Sequence, residues 1–467
     1  MSPLWTHEDA SAASGGTAHG VWSAQGVSID SRTVKTEDLF VAIKGPNSDG
    51  HDYVATALAA GAAAAMVSER RTDWPDDAPL LLVENTDAGL AALGHGARKR
   101  IGENACIIGV TGSVGKTGTK EALRHCLAEQ APTTATEGNL NNQWGLPLSL
   151  ARMPAATVYG IFELGMNHAG EISALSKILQ PDIAIITTVE PVHTEFFDSV
   201  EGIADAKAEI FDGMNPDGVA ILNRDNAYFD RLIGHAETRE LSKIISFGSD
   251  PSADARLIDC ELQDAFSDIE ADICGEQIHY RLGAPGRHWV LNSLAVLAGI
   301  KAAGGDIAKA TDGLANLAPM KGRGERRTIS VDGGDFTLID ESYNASPASM
   351  RAALQVLANS IPGKDGRRIA VLGDMLELGE NSDTIHSELA PELTSAGVDI
   401  VFTAGTHMAN LASALPESIT ASHGEASDEV LPKVIETVRA GDIVTVKGSL
   451  GSRMGPIADA LRALDGK

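Results

Sequence analysis

A glycine-rich segment at residues 111–117, Thr-Gly-Ser-Val-Gly-Lys-Thr, constrains the fold of this chain more than any other feature. It directly follows a continuous apolar run, 106–111, that is typical of a buried parallel strand. A helical pattern at 119–127 comes next. Strand, glycine loop and helix in this order form a phosphate-binding loop, because Gly112 and Gly115 let backbone amides turn toward phosphate oxygens.

The side chains of this loop suit a nucleoside triphosphate and a magnesium ion. Lys116 supplies a positive charge for the β and γ phosphates, and the hydroxyl of Thr117 is a suitable Mg²⁺ ligand. The segment departs from the strict G-x-x-x-x-G-K-[ST] pattern, because Val110 stands where the first glycine would fall. The alternative is an incidental glycine-rich turn, but the flanking strand and helix favour phosphate binding. We predict ATP binding by Thr111, Gly112, Ser113, Val114, Gly115, Lys116 and Thr117.

Two further polar residues follow the ends of buried strands. Glu163 ends the apolar run 158–163, and His193 lies just past the run 181–187. Open parallel sheets bind ligands outside the carboxyl ends of their strands, so this topology would bring both residues to the phosphate loop. Glu163 suits Mg²⁺, with a helix cap as the alternative, whereas His193 taken alone is a surface residue in a loop.

The length and charge of the chain limit its function classes. At 467 residues it exceeds the size that one hydrophobic core usually organises. The net charge, 37 − 64 = −27, argues against nucleic acid and anionic membranes as partners. The four cysteines form no CxxC pair, and the sequence has no secretory signal or membrane-spanning apolar run. We therefore expect a cytoplasmic protein that does not insert into membranes.

The apolar runs separate the chain into three regions. Residues 1–103 combine short strands with an alanine-rich helix, and 104–325 alternate strands and helices around the phosphate loop. Residues 326–467 repeat this alternation. We predict an α/β fold of three domains, with a mainly parallel sheet in the central one and a doubly wound, Rossmann-like unit at the C-terminus.

Other polar residues are ambiguous by their chemistry alone. Lys207 reads as a surface lysine on a helix. Asn292 fits either a helix cap or a contact to a base edge. Arg323, which stands between two glycines, fits either a mobile phosphate contact or a solvated linker. Asp340 begins a polar segment, 340–347, that is either functional or a turn before a helix.

These pieces together resemble the Mur ligase family of peptidoglycan synthesis, nearly from end to end of the chain. The most specific segments are 340–347, Asp-Glu-Ser-Tyr-Asn-Ala-Ser-Pro, and the Leu-Gly-Asp-Met sequence at 372–375. The other segments that carry the resemblance are 26–32, the phosphate loop, 163–168, His193, 206–211 and 446–449.

The resemblance implies an ATP-driven amide ligase. The chain is most similar to the family member that joins D-Ala-D-Ala to UDP-N-acetylmuramoyl-tripeptide through an acyl phosphate. The N-terminal domain would hold the UDP-sugar, the central domain ATP, and the C-terminal domain would close over the site and help bind the dipeptide. We expect a monomer whose partners are these small molecules.

The resemblance also implies individual roles, which fall into substrate contacts and metal ligands. The UDP-sugar would contact Ser28, Ser31, Arg32 and His168, and the dipeptide Asn344 and Ser346. ATP would contact Asn292 at the adenine, Arg323 at a phosphate, and Asp340 and Tyr343 at the sugar side. Catalysis would depend on Lys116, Glu163, His193 and Lys207. Lys207, as a carbamate, and His193 would hold a second Mg²⁺, while Thr117 and Glu163 hold the first.

The chain departs from this family at two positions of the phosphate loop. The family loop usually reads Thr-Gly-Ser-Asn-Gly-Lys-Thr-Thr-Thr, whereas this chain has Val114 and Gly118 in place of Asn and Thr. Val114 loses a side-chain hydrogen bond near the γ-phosphate, and Gly118 loosens the first helical turn by up to roughly 1 kcal/mol. The backbone loop, Lys116 and Thr117 remain, so we expect activity.

Two alternative functions stay open at this point. One is a related ligase that adds a single amino acid, either to the muramoyl peptide or to folate as polyglutamate. The other is a phosphate-loop regulatory ATPase that binds a nucleotide to control a partner. Such an ATPase would have no need of the N-terminal region, His193 or Lys207.

Overall fold

Three large β-sheets with helices on both faces organise the part of the chain that the computed structural model describes, residues 2–192 and 195–466. Each sheet buries a separate apolar cluster against each of its faces. This architecture confirms the predicted α/β fold of three domains. None of the helices in the described ranges combines the length and apolarity that crossing a membrane requires.

The N-terminal sheet places Leu39 and Val41 on one face and Phe40 on the other, as the alternation of side chains along a strand requires. Its elements are β1 (Trp5–Thr6), α1 (His7–Ser14), β2 (Thr17–His19), β3 (Ser23–Ala24), β4 (Gly26–Ser28), β5 (Asp38–Val41), α2 (Val54–Ala59), β6 (Ala64–Val67), β7 (Leu80–Leu82) and α3 (Thr86–Arg100). The strand order is β2-β7-β6-β5-β4, with β2 antiparallel to β7 and the other pairs parallel. β1 and β3 form a separate antiparallel pair.

The central sheet carries the phosphate loop at the end of its first strand. Its elements are β8 (Cys106–Thr111), α4 (Lys116–Ala128), β9 (Thr133–Ala135), α5 (Gly145–Ala151), β10 (Tyr159–Glu163), α6 (Glu171–Leu179), β11 (Ile183–Ile186), α7 (Val200–Ala208), β12 (Val219–Asn223), α8 (Phe229–Thr238), β13 (Lys243–Gly248), β14 (Ala255–Leu262), β15 (Ser267–Ile273), β16 (Gln277–Leu282), α9 (Arg287–Ala302) and α10 (Ile307–Ala315). The order is β16-β15-β14-β13-β12-β11-β8-β10-β9. Neighbouring strands from β9 to β14 are parallel, whereas β15 and β16 extend the sheet in antiparallel fashion.

The C-terminal sheet is doubly wound, as predicted. Its elements are β17 (Glu325–Val331), β18 (Gly334–Glu341), α11 (Pro347–Asn359), β19 (Arg368–Gly373), α12 (Ser382–Ser387), α13 (Ala390–Ser395), β20 (Ile400–Ala404), α14 (Met408–Ala414), β21 (Thr420–Gly424), α15 (Ser427–Thr437), β22 (Ile443–Lys447) and α16 (Gly455–Arg462). The order is β17-β18-β22-β19-β20-β21, with β17 antiparallel to β18 and the other pairs parallel. Short 3₁₀ turns complete the described elements at Gly50–Tyr53, Glu209–Gly213, Gly379–Asn381 and Leu450–Ser452.

Direct contacts join the N-terminal sheet to the central one. Leu148 and Ala151 of α5 belong to the same apolar cluster as α3. Trp5 Nε1 donates to Ala151 O at 2.9 Å, and Arg152 Nε donates to Val27 O at 2.7 Å. On the other side, Arg326 at the start of the C-terminal region donates to Asp264 of the central one. Specific polar contacts therefore join the central domain to each of its two neighbours.

Candidate functional site

The phosphate loop lies at the carboxyl end of β8, which β10 and β11 flank on either side. Gly112 has a φ of 143°, and a Cβ there would lie 1.9 Å from Thr187 Oγ1. Gly115 has a φ of 87°, and a Cβ there would lie 2.8 Å from the side-chain nitrogen of Asn292. The conformation and the close approach both require glycine at these positions. The same geometry brings Asn292 of α9 against the loop.

Lys116 of the phosphate loop and Arg323 of the linker before the C-terminal domain lie close enough for their charges to interact. Lys116 Nζ donates to Gly112 O at 2.8 Å and to Ser113 O at 3.4 Å, within its own loop. Burial lowers the pKa of Lys116, the Glu163 carboxylate opposes this shift, and the Arg323 guanidinium adds to it. The Arg323 guanidinium lies 4.3 Å from the centre of the Tyr343 ring. Two cations that converge in this way form an anion-binding cleft.

Thr117, Glu163 and Asn141 form a buried polar cluster beside the loop. Thr117 Oγ1 donates to Glu163 Oε2 at 2.8 Å, and Asn141 Nδ2 donates to Glu163 Oε1 at 2.8 Å. A hydroxyl oxygen next to a carboxylate is a donor set that Mg²⁺ accepts. In the described part of the chain no group of three or more His, Cys, Asp or Glu forms a cage for another metal. Glu163 therefore meets Thr117 as the strand-end argument predicts.

The sequence offered no prediction for Asn141. Its signal was the asparagine-rich stretch 138–142, Gly-Asn-Leu-Asn-Asn, between β9 and α5. A polar loop after a strand of a parallel sheet lies at the edge where ligands bind. The same reasoning that identified Glu163 would have identified this stretch.

Lys207 on α7 is almost completely buried, with a relative exposure of 2%. The interpretation as a surface lysine is wrong, because α7 turns this side chain toward the phosphate loop rather than toward solvent. Among residues 2–192 and 195–466, Lys207 Nζ has no hydrogen-bond or ion-pair partner. Burial, with a further contribution from nearby Lys116, holds the pKa of Lys207 well below its usual value. His193, predicted as its co-ligand, lies outside the described residues.

The predicted C-terminal site residues make their contacts mainly within their own domain. Asp340, 1% exposed, accepts from Ser342 N at 3.0 Å and from Gly322 N at 3.1 Å, so its carboxylate holds two backbone segments. The carbonyl of exposed Asn344 accepts from Lys447 Nζ at 2.8 Å. Ser346 caps α11, where its hydroxyl accepts from the third residue of the helix. Substrate contacts by these residues stay predictions.

A second cavity, of about 710 Å³, lies between the N-terminal and central domains. Ser28, Ser31 and Arg32, the predicted UDP-sugar residues, line it on one side. Trp144 and Arg152 of the central domain line it on the other. The Arg32 side chain is 85% exposed and pairs with Asp30 at 2.6 Å, which leaves much of the guanidinium accessible.

His168 does not line this cavity. It lies on the exposed loop after β10, where its Nδ1 is 3.1 Å from Glu171 Oε1 and its ring centre 4.9 Å from that of Phe196. Its predicted contact to the UDP-sugar stays a prediction.

Comparisons with known proteins follow the order of the three sheets. Residues 23–88 match the description Mur ligase family, catalytic domain. Residues 110–300 match the Mur ligase middle domain, and residues 322–450 match the Mur ligase, glutamate ligase domain. A UDP-N-acetylmuramoyl-tripeptide–D-alanyl-D-alanine ligase of Rickettsia prowazekii is 35% identical over 98% of this chain and 99% of its own. The chain belongs to the Mur ligase family.

Solved structures of Mur ligases agree with this membership. A crystal structure of MurF from Acinetobacter baumannii is 31% identical and has a TM-score of 0.86, with 99% of each chain covered. The structure of a MurF ligase from Thermotoga maritima in complex with ADP is 27% identical, with a TM-score of 0.79 over 94% of this chain and 97% of its own. This Mur ligase is therefore an ATP-dependent ligase that acts on small molecules.

The two unusual loop positions of this Mur ligase have different structural settings. A Cβ on Gly118 would lie 2.8 Å from Cη2 of Trp289, because the indole of α9 packs against the first turn of α4. Glycine at 118 therefore makes room for Trp289, which the sequence did not predict. At Val114 the carbonyl accepts from Thr187 Oγ1 at 2.6 Å, so the residue that follows β11 holds the loop backbone in place.

Proposed function

We propose that this Mur ligase joins D-alanyl-D-alanine to the terminal carboxylate of UDP-N-acetylmuramoyl-tripeptide, with hydrolysis of ATP to ADP and phosphate, in peptidoglycan precursor synthesis. The observation that carries the proposal is the end-to-end similarity to the Rickettsia prowazekii ligase named for that reaction. The separate cavity between the N-terminal and central domains supports it, because a nucleotide-linked sugar needs a site apart from ATP.

The first step forms an acyl phosphate. A carboxylate oxygen of the tripeptide attacks the γ-phosphorus, and the bond from that phosphorus to the bridging oxygen of ADP breaks. Lys116 and Arg323, which converge on the cleft, stabilise the charge on the transferring group. Asn292, whose side chain lies against Gly115 of the loop, is proposed to contact the adenine.

The donor set around the loop suits the magnesium ion that ATP brings. Thr117 Oγ1 and the Glu163 carboxylate would hold it, and Asn141 orients that carboxylate through its hydrogen bond. The bound ion supplies charge neutralisation at the β and γ phosphates.

Lys207 is proposed to act as a carbamate. The lowered pKa favours the neutral, nucleophilic form of the amine, whose nitrogen would form a bond to the carbon of CO₂ and release a proton to solvent. The product carries a negative charge where the free lysine would bring a second buried cation beside Lys116. Such an anion, with His193, would hold a second Mg²⁺.

The second step forms the amide. The amino group of D-alanyl-D-alanine attacks the acyl carbon, the bond to the phosphate oxygen breaks, and a proton leaves the nitrogen. Asn344 and Ser346 are proposed to contact the dipeptide, Ser28, Ser31, Arg32 and His168 the UDP-sugar, and Asp340 and Tyr343 the sugar side of ATP. Closure of the C-terminal domain would exclude water from the acyl phosphate.

Each of the three domains is proposed to bind one of the three substrates. Residues 1–103 would form the UDP-sugar domain, 104–325 the ATP domain and 326–467 the dipeptide domain. We propose a cytoplasmic monomer that acts on small-molecule substrates.

Mass spectrometry of the product tests the proposal against its alternatives. The enzyme is incubated with ATP, Mg²⁺, D-Ala-D-Ala and UDP-N-acetylmuramoyl-tripeptide that carries either diaminopimelate or lysine as third residue. We expect the sugar nucleotide to gain the mass of the dipeptide less one water. Addition of a single amino acid, glutamylation of folate, or ATP hydrolysis without any ligated product would contradict it.

A further inference from the structure

The linker between the central and C-terminal domains is a tight turn that presents Arg323 to the cleft. Arg323 N donates to Met320 O at 2.9 Å. Gly322 and Gly324, on either side of Arg323, have φ values of 75° and 92°. Residues other than glycine rarely adopt this conformation, so the turn has a defined shape rather than that of a flexible tether.

This turn is held against the end of β18. Gly322 N donates to Asp340 Oδ2 at 3.1 Å, and Gly324 N donates to Asp340 O at 2.8 Å. Tyr343 N donates to Gly322 O at 3.1 Å, and the Tyr343 ring lies under the Arg323 guanidinium. The position of Arg323 is thus determined by Asp340 and Tyr343 rather than by contacts of its own backbone alone.

Arg462, in the last turn of α16, pairs with the same Asp340 oxygen that accepts from Gly322 N. Its Nη2 is in a close ion pair with Asp340 Oδ2 and also contacts Glu325 Oε2 at 2.6 Å. Its Nη1 lies 2.8 Å from Asp459 Oδ1, and Asp459 in turn pairs with Lys321 of the linker at 2.7 Å. Asp340 is 1% exposed, so a counter-charge is needed to keep this carboxylate in place.

The helix that carries Arg462 is itself firmly packed. Ile457, Ala458 and Leu461 of α16 are buried in one cluster with Leu338 of β18. Arg462 is therefore a fixed point on the C-terminal domain, and its ion pairs reach the linker both through Asp340 and through Asp459.

We propose that Arg462 is a positioning residue for ATP: through Asp340 it holds the linker turn that presents Arg323 to the phosphates. The proposal rests on the ATP-dependent function of the chain and on Arg323 as a phosphate contact. Arg462 lies outside every segment from which the sequence predicted a site. Without it, the buried Asp340 carboxylate loses its counter-ion, Gly322 loses its anchor and Arg323 samples other positions.

The test is a double-mutant cycle on nucleotide affinity in the full-length enzyme. The dissociation constant of a non-hydrolysable ATP analogue with Mg²⁺ is measured by calorimetry for Arg462→Ala, Arg323→Ala and the double variant. We expect each single change to weaken binding roughly 10- to 100-fold. Both substitutions act through the Arg323 guanidinium. The double variant should therefore bind the analogue no more than about twofold more weakly than Arg323→Ala does.

Arg462→Lys and Arg439→Ala complete the design. Arg462→Lys keeps the charge and should retain most of the affinity. If Arg462→Ala does not fold, Arg462→Gln, which removes the charge but keeps much of the side chain, takes its place in the cycle. Arg439 is exposed and donates to Asp365 O at the far side of the domain, so Arg439→Ala should bind the analogue like the wild type. The KM for the UDP-linked substrate should stay unchanged in all variants.

Two results would overturn this role of Arg462. One is wild-type nucleotide affinity in folded Arg462→Ala, and the other is losses that multiply in the double variant. Because the readout is nucleotide binding, it is independent of whether the ligated product is the proposed one. An enzyme that shows the expected cycle and yet fails to join the dipeptide would refute the proposed function alone.

Discussion

At the scale of single residues, Lys207 shows how burial determines chemistry. It lies on α7 beside Lys116, without a partner among the described residues, and its pKa is lowered accordingly. A buried cation with no counter-charge is costly, whereas a carbamate at the same place would be attracted to Lys116 and to magnesium. The lysine is therefore better suited to become an anionic ligand than to remain a charged amine.

Replacement of Lys207 tests this chemistry. We expect Lys207→Ala to lower kcat by about 100-fold or more, because the loss removes an electrostatic contribution at the transferring phosphoryl group. Acetate in the assay should restore part of the activity by supplying the missing carboxylate. Lys177→Ala, on the exposed face of α6, is the matched control and should leave the rate unchanged. Full activity of Lys207→Ala without acetate would contradict the carbamate.

At the scale of elements, the first turn of α4 is shaped by its contact with α9. The indole of Trp289 occupies the space that a side chain at position 118 would need, because a Cβ on Gly118 would lie 2.8 Å from the indole. Gly234 in α8 provides the matched comparison, since a Cβ there meets nothing within 4 Å. The two glycines differ in surroundings but not in secondary structure.

Alanine at these two positions should shift stability in opposite directions. Gly234→Ala should raise the melting temperature, because alanine favours a helix by up to about 1 kcal/mol over glycine. Gly118→Ala should lower it, since overpacking costs roughly 1–3 kcal/mol. Replacement of the indole by a smaller side chain, in the double variant Gly118→Ala/Trp289→Leu, should recover part of the lost melting temperature. Differential scanning calorimetry measures all three, and a stabilised Gly118→Ala would refute the packing argument.

Strands and loops that a local pattern specifies were predictable, whereas contacts between distant segments were not. The apolar run before the phosphate loop predicted β8, and the strand-end rule predicted that Glu163 meets Thr117. The burial of Lys207 depends on how α7 packs against the loop, and no local pattern encodes it. β14, β15 and β16 were missed because their alternating, half-polar pattern lacks the continuous apolar run of a buried parallel strand.

At the scale of the whole molecule, local positive charge offsets an acidic chain. The net charge is −27, yet the cations Lys116 and Arg323 lie close to one another at the phosphate loop. The cavity proposed for the second anionic substrate is lined by Arg32 and Arg152, which come from different domains. In this proposal the two anionic ligands have separate basic sites, each with a local positive charge.

Replacement of Arg152 should affect binding at the proposed UDP-sugar site and not at the ATP site. It lines the cavity and donates to Val27 O at 2.7 Å, so it both contacts ligand space and joins two domains. We expect Arg152→Ala to weaken binding of the UDP-linked tripeptide about tenfold or more, as loss of a charged hydrogen bond does. Calorimetric affinity for the ATP analogue should stay within about twofold of wild type. If Arg152→Ala instead lost affinity for the ATP analogue and kept its affinity for the UDP-linked tripeptide, the proposed location of the two sites would be contradicted.

The most direct test of the ligase assignment is phosphate release measured with and without the dipeptide. With ATP, Mg²⁺ and UDP-N-acetylmuramoyl-tripeptide present, we expect little release until D-Ala-D-Ala is added, because the acyl phosphate waits for the amine. Addition of the dipeptide should then start steady release, with one phosphate formed for each amide. Phosphate release at the same rate with and without D-Ala-D-Ala would contradict the proposed ligase reaction.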